Sequence, residues 1–405
     1  MLNDRPMKKI AILTHSIANN FGANLQALST ASYLQNNGYY PVFLQWGSYL
    51  TSNTPTEQEA VHRLFLEKNG FEMSPPLQTD DDFASFIRNE QIKRIIVGSD
   101  CVLTYERNRF PFRLTKKGIV RVQRSIDYDF PNPFWLPFLS DIKDVRTVLM
   151  SASCGGASTM KITEHRIKES MISLLNRFDY ISVRDTFTAR FVKKMQPSRH
   201  DIHITPDPVF GFNRNVHNIP SEDEIRKKFN LREQYILISF YYSFWPNQKW
   251  ADSLMKEAHA HRLQCVSILM PQGGRKSYFD LNLDLPLDPL DWYALIKYSK
   301  GYVGNNMHPI IVALHNIVPF FSFNIHGRSF LYGRIQLIRT SKEYDLLRRF
   351  GLHKYVIPQP FLPLVKPQII ISRLVSFERD KFLNASKCLQ EEYEAMMTEV
   401  LNVLV

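Results

Sequence analysis

Tyr302-Val303-Gly304-Asn305-Asn306-Met307-His308-Pro309-Ile310-Ile311-Val312-Ala313-Leu314 is the stretch on which the reading of this chain turns. It has the pattern of a short buried strand, a polar turn, and a helix opened by Pro309, since proline suits a first helical position. The turn presents two amides and an imidazole beside the free N–H groups of a helix start, an arrangement suited to an anion such as phosphate. The stretch from Ile10 to Leu34 is built alike near the other end of the chain. The two turns are expected to face one another across a cleft.

Outward from these stretches the chain alternates strand and helix. Lys8 to Thr14 is a compact apolar run of the buried parallel-strand kind. A polar, glycine-bearing loop follows, then a helical pattern from Leu25 to Asn37 stopped by Gly38, and a second strand at Pro41 to Gln45. The loop is neither G-x-G-x-x-G nor a P-loop, so dinucleotide and P-loop readings are weak. Asp80-Asp81-Asp82 suits a helix start. Lys93 to Val97 reads as a strand ending in Gly98-Ser99-Asp100, and open α/β sheets bind ligands at such carboxyl ends. Asp100 there is either a chemical group or a helix cap.

Val145 to Ser151 reads as a strand, Thr163 to Phe178 as a helix, and Tyr180 to Val183 as a strand running into Arg184. An arginine at a strand end is well placed to reach an anion, or else pairs locally with Asp185. Residues 211–233 are polar and rich in Pro and Asn, and the domain boundary is expected there. A second alternation starts at Tyr235 and runs through Val318 to Phe323, followed by a polar turn, Asn324 to Arg328. Phe377 to Leu404 has the spacing of a long amphipathic helix. The expected fold is α/β, two Rossmann-like domains (1–212 and 213–375) facing across a cleft, with a C-terminal helix (376–405) crossing back.

Bulk properties agree with a two-domain globular chain of 405 residues. The net charge of +11 favours anionic partners: phosphorylated substrates, nucleic acid or acidic lipid. Cys101, Cys154, Cys265 and Cys388 are far apart, which fits reduced thiols of a cytosolic protein, and no His/Cys spacing suggests a metal. Met1 to Lys9 is polar, so no signal peptide is read there. The most apolar stretch, Ile310 to Phe323, is interrupted by His315, Asn316 and Pro319 and is too short to span a bilayer. A cytoplasmic protein is expected, with contact at the inner membrane face left open.

Tyr105 to Pro137 has no clear period, is rich in Phe, Pro and Trp, and carries seven Lys/Arg between Arg107 and Arg124. It reads either as a basic, aromatic flap over the cleft or as a peripheral insertion. No nucleic-acid module accompanies this basic cluster, and nucleic-acid binding is not expected.

Taken in order, these pieces resemble the polysaccharide pyruvyl transferase family. The family's opening, a strand followed by Asn-Tyr/Phe-Gly-Ala-x-Leu-Gln, is matched by Asn20-Phe21-Gly22-Ala23-Asn24-Leu25-Gln26. Gly98-Ser99-Asp100, Ser182-Val183-Arg184-Asp185, Asp207-Pro208 and the late Gly304 to Leu314 stretch follow in the same order. The resemblance implies a fold like that of GT-B glycosyltransferases and transfer of a pyruvyl group from phosphoenolpyruvate to a sugar, forming a ketal. It carries donor contact to Arg184 and His308. Where relatives often show Arg-Leu-His or Ser-Phe-His, this chain has Asn306-Met307-His308, so an arginine is missing. Either Arg328, a flap arginine or a lysine replaces it, or the reaction differs from the family's usual one.

The expected site therefore has His308 and Asp100 as catalytic groups, His308 as general acid or base and Asp100 as base for the acceptor hydroxyl. Arg184, Asn305, Asn306 and Arg328 would bind the donor, and Asn20, Gly22, Asn24, Gln26 and Ser99 would line the acceptor cleft. Duller roles stand beside these: His308 as a turn-stabilising residue, Asn20 and Gln26 as capping and core-edge residues. His15 and His326 are weaker candidates. No cofactor beyond the donor substrate and no metal is required. The expected partners are phosphoenolpyruvate and a sugar or lipid-linked oligosaccharide. The competing readings are a nucleotide-sugar glycosyltransferase of the same architecture and a non-catalytic glycan- or partner-binding relative.

Overall fold

The computed structural model describes residues 8–46, 54–105, 126, 129–155, 165–241, 245–271, 278–327 and 337–405, and the backbone alone of 112–115, 118–121, 328–330 and 335–336. The first half contributes β1 (Lys8–Leu13), β2 (Tyr39–Phe43), β3 (Glu72–Met73), β4 (Arg94–Val97), the hairpin β5 (Phe112–Thr115) and β6 (Gly118–Arg121), β7 (Arg146–Ala152), β8 (Tyr180–Val183) and β9 (Ile202–Ile204). All but the hairpin form one parallel sheet in the order β3-β2-β1-β4-β7-β8-β9.

The second half contributes β10 (Tyr235–Ser239), β11 (Gln264–Ile268), β12 (Leu281–Leu283), β13 (Tyr302–Gly304), β14 (Phe320–Asn324), the hairpin β15 (Arg328–Phe330) and β16 (Ile335–Leu337), and β17 (Val356–Pro358). Its parallel sheet runs β12-β11-β10-β13-β14-β17. Such sheets carry helices on both faces, which is why β1, β10 and β11 read as continuous apolar runs rather than alternating ones. In each sheet the strand order reverses once, between β1 and β4 and between β10 and β13. Open α/β sheets bind their ligands at such switch points, beyond the carboxyl ends of the strands.

The two halves share an apolar interface. Phe21, at the start of the helix Phe21–Asn36, stacks on Trp292 of the helix Pro289–Lys297 with ring centroids 5.2 Å apart and planes 15° from parallel. The C-terminal helix Arg379–Leu404 returns from the second half to the first. On the way Ser386 donates to the His315 carbonyl at 2.8 Å, and the Tyr393 hydroxyl accepts from Asn215 at 2.8 Å. The Arg94 guanidinium donates to the Leu404 carbonyl at the far end. This is the crossing expected from its amphipathic spacing.

Three local expectations are corrected. The late helix begins at Met307 rather than Pro309, because Asn306 already holds the extended backbone of a cap position, and Pro309 falls in the first turn. The helix expected from Leu25 begins at Phe21, since the Asn20 side chain accepts from the Gly22 and Ala23 N–H groups and starts it earlier. The C-terminal part of the expected flap is core. Phe134, Trp135 and Leu136 are fully buried, with Phe134 against His15 and Trp46. The basic side chains between Arg107 and Arg124 lie outside the described residues.

Candidate active site

The site forms where both switch points empty into the cleft. After β4 the chain turns at Gly98, with φ +118°, and a methyl group there would meet the Met150 carbonyl at 2.2 Å, so only glycine fits. Asp100 also takes a left-handed backbone, φ +74°, which aspartate tolerates. The turn brings its carboxylate to Arg184, which leaves β8 with its N–H bonded to the Ala152 carbonyl at 2.8 Å. Arg184 is gripped on both sides. One terminal nitrogen donates to Asp100 Oδ1 at 2.8 Å and the other to Asp207 Oδ2 at 2.7 Å, with all three side chains almost wholly buried.

Burial by itself would push the Asp100 carboxyl up. The Arg184 guanidinium, aided by His308, His15 and Lys342, instead holds it well below the usual carboxylate range. Arg184 is in turn held more firmly protonated than usual by the two carboxylates, against the effect of its burial. The expected local pair of Arg184 with Asp185 is replaced by this arrangement. Asp185 caps the helix Thr186–Met195, accepting from the Thr188 N–H at 2.8 Å and from Ser153 Oγ at 3.1 Å.

His308 enters from the second half and touches the first. An added Cβ on Gly22 would sit 2.1 Å from its ring, so the absence of a side chain at Gly22 makes room for the imidazole. His308 Nε2 is buried and has no partner among the described residues. Burial lowers its pKa from the ordinary value; Asp100 and Asp207 only partly oppose that, and the resting ring is neutral near pH 7. Arg184 and His308 thus belong to one cluster, as the sequence reading required.

A second cation completes it. Lys342 opens the helix Lys342–Arg349 of the second half and reaches into the first, where its ammonium donates to Ser153 Oγ and lies 3.6 Å from Cys101 Sγ. Among the described residues no carboxylate pairs with it. Three residues on, Asp345 accepts from the Thr186 hydroxyl at 2.7 Å and the Thr186 N–H at 3.2 Å, placing a negative charge at a helix start across the cleft.

The other expected site residues turn out mostly to support this cluster. Asn20 is the helix cap, and Asn24 is fully buried between the Ser16 carbonyl and His62. Gln26 is buried too and donates to Asp207, the residue that grips Arg184. Asn24 and Gln26 are therefore corrected from cleft lining to the layer beneath it. Asn305 is likewise corrected: it is wholly buried, its oxygen taken by the Tyr241 N–H at 3.0 Å, and so cannot meet a donor. Asn306 turns its amide nitrogen to the Met270 sulfur at 2.8 Å. Ser99 is buried, and its carbonyl accepts from Thr14. His15 is buried close enough to act on Asp100, whereas His326 is exposed, and the Arg328 side chain lies outside the described residues. Two members of the cluster were not assigned to it from sequence. Asp207 was visible only as part of an Asp-Pro turn, and Lys342, after Ser341, looks like any residue of a helix start.

Two facing parallel α/β units with a returning terminal helix define a GT-B fold, and solved structures agree. UDP-GlcNAc 2-epimerase from Neisseria meningitidis, bound to UDP-GlcNAc, superposes with a TM-score of 0.58 at 10% identity, over 98% of this chain and 100% of that one. UGT89C1 of Arabidopsis thaliana, complexed with quercetin, gives 0.55 at 7% identity over 98% and 99%. The S. aureus MnaA–UDP structure gives 0.51 at 12% identity over 98% of both chains. At these identities the likeness concerns the fold alone. The family model for polysaccharide pyruvyl transferase matches residues 20–327, and the chain belongs to that family of transferases. No curated protein matches the chain. Among the described residues no helix is long and apolar enough to cross a membrane, and no group of His, Cys, Asp and Glu could hold a metal ion.

Proposed function

We propose that the protein transfers a pyruvyl group from phosphoenolpyruvate to a sugar of a surface polysaccharide or its lipid-linked precursor, closing a ketal on two hydroxyls. The observation that carries this reading is a pair of groups in one cluster: the Lys342 ammonium, which has no carboxylate partner among the described residues, and His308 Nε2, which has no hydrogen-bond partner among them. Family membership supports it.

Lys342 takes the donor's negative charge in place of the arginine missing from the late turn. Arg184 contributes its field and its remaining Nε, which has no partner among the described residues, because its terminal nitrogens are committed to Asp100 and Asp207. The bound anion reverses the effect of burial on His308 and favours its imidazolium. That imidazolium protonates the methylene carbon of the donor, and a sugar hydroxyl adds to the adjacent carbon. Phosphate leaves, and a second hydroxyl takes its place. One hydroxyl proton restores the imidazolium and the other departs with phosphate, so the step balances.

Asp100 is a poor general base in this scheme, because its carboxylate is held far below the usual range. Its role is to aim Arg184. Phosphate release from phosphoenolpyruvate, measured across a panel of surface sugars and lipid-linked precursors, tests the proposal. Release that depends on one acceptor is expected. Thermal stabilisation by a nucleotide-sugar, with none by phosphoenolpyruvate, would overturn it in favour of glycosyl transfer.

A further inference from the structure

At the switch point of the second sheet, two buried donors are matched to a poor acceptor. Ser239, the last residue of β10, pairs in register with Gly304 of β13, so Ser239, Tyr241 and Asn306 gather at the carboxyl ends of two neighbouring strands. Ser239 Oγ and Asn306 Nδ2 both donate to the sulfur of Met270, at 3.5 and 2.8 Å. Ser239 is 1% exposed and Asn306 6%, yet a thioether is among the weakest hydrogen-bond acceptors. Buried donors ordinarily find an oxygen, and two that converge on one sulfur fall short of the bonds they could make. Asn306 is not spent as a helix cap either, since its side chain accepts no bond from the helix Met307–His315. Met270 is unbranched and half-buried, so its side chain can swing away.

A third polar group stands beside them. The Tyr241 phenol interacts with the same Asn306 side chain and is close enough to the first half to feel the charge of Asp100. Burial, with Asp100 adding to it, raises the Tyr241 pKa, so the phenol keeps its proton and can donate. His308 lies two residues beyond Asn306, in the first turn of the helix, which puts these groups next to the proposed proton donor. The cations of the site sit elsewhere: Arg184 is held by Asp100 and Asp207, and Lys342 by Ser153, all of the first half. An anion belongs with those cations. An uncharged polyol belongs among neutral donors, with an aromatic ring and a thioether to cover its C–H face. We propose that Ser239, Tyr241 and Asn306 form the acceptor subsite, and that the hydroxyls of an uncharged pyranose displace the Met270 sulfur to take their donors. The assignment rests on the transfer reading, in which a sugar hydroxyl must come beside His308.

Saturation-transfer NMR on the full-length protein is the test, with the methyl α-glycosides of glucose, galactose and mannose as probes, each with and without phosphoenolpyruvate. At least one glycoside should receive saturation. Tyr241→Phe and Asn306→Ala should each weaken that glycoside about tenfold, the loss expected for one hydrogen bond, while the dissociation constant of phosphoenolpyruvate stays within about twofold. Met270→Ala, which removes the competing sulfur, should strengthen it. Tyr241→Phe keeps the ring and decides the matter if Asn306→Ala does not fold. No saturation of any glycoside in either condition would overturn the assignment, as would variants that bind the glycoside like the wild type. Equal loss of glycoside and phosphoenolpyruvate would give these residues to the donor instead. Glycoside binding with no binding of phosphoenolpyruvate would support the subsite and count against the transfer reading.

Discussion

Gly22 and His308 lie on opposite halves of the molecule and occupy one another's space: a methyl group on Gly22 would stand 2.1 Å from the His308 ring. The pair joins the two switch points into one site. It also explains a glycine in the first turn of a helix, where glycine is otherwise unfavourable.

Gly22→Ala should therefore act through His308. The ring must move, and in the proposed reaction it is the group that delivers the proton. Activity should fall by about a hundredfold, within the range expected for a displaced general acid. His308→Ala should fall at least as far, and the double variant little further than His308→Ala alone. Additive losses in acceptor-dependent phosphate release would show that Gly22 acts by another route.

Lys342→Met should weaken the donor more than the chemistry. The prediction is a rise of about tenfold or more in KM for phosphoenolpyruvate, as expected from losing a charge-assisted contact. Lys342→Arg should recover part of it. An unchanged KM would return the missing arginine's role to residues outside the described cluster.

Much of this layout was legible in the sequence, and for a physical reason. Strands buried on both faces must be continuous apolar runs, so β1, β10 and β13 announce themselves, and polar residues at their ends are the first candidates to face a crevice. Arg184 and His308, which the fold brings into one cluster, were singled out that way. Asn24, Gln26 and Asn305 were misplaced because an amide in a polar loop looks the same whether it meets a ligand or a backbone group. Phe134 and Trp135 read as flap because irregular turns that bury aromatics have no period. Lys342 carried no local sign, since its role exists only once the two halves meet.

The buried triad should give the acid side of the stability profile its shape. Asp100 has a folded pKa below its unfolded one, so its contribution is present above about pH 4 and is lost as pH falls. Asp100→Asn should accordingly lose stability near neutral pH, and the loss should shrink toward pH 3. Arg184→Ala leaves two buried carboxylates uncompensated and should cost about 3–5 kcal/mol. Arg184→Lys should recover only part, because an ammonium lacks the fork that spans both partners. Chemical denaturation at several pH values measures all three, and a pH-independent penalty for Asp100→Asn would contradict the assignment.

Glu343 makes the opposite prediction one residue from Lys342. It is buried beside Asn324, which donates to it, and burial raises its pKa to about 7. Between the unfolded value near 4.3 and the folded one, the native state holds a proton that the unfolded chain has already lost. Stability must then fall as pH rises through that window, by about 4 kcal/mol if Glu343 acted alone, and level off above it. Glu343→Gln removes the titrating proton while keeping an acceptor for Asn324. Its midpoint should vary less than the wild type's between pH 5 and pH 7, and above about pH 7.5 it should be the more stable protein. Thermal unfolding of both proteins across that range is the measurement, and parallel curves would mean that Glu343 is already ionised in the fold.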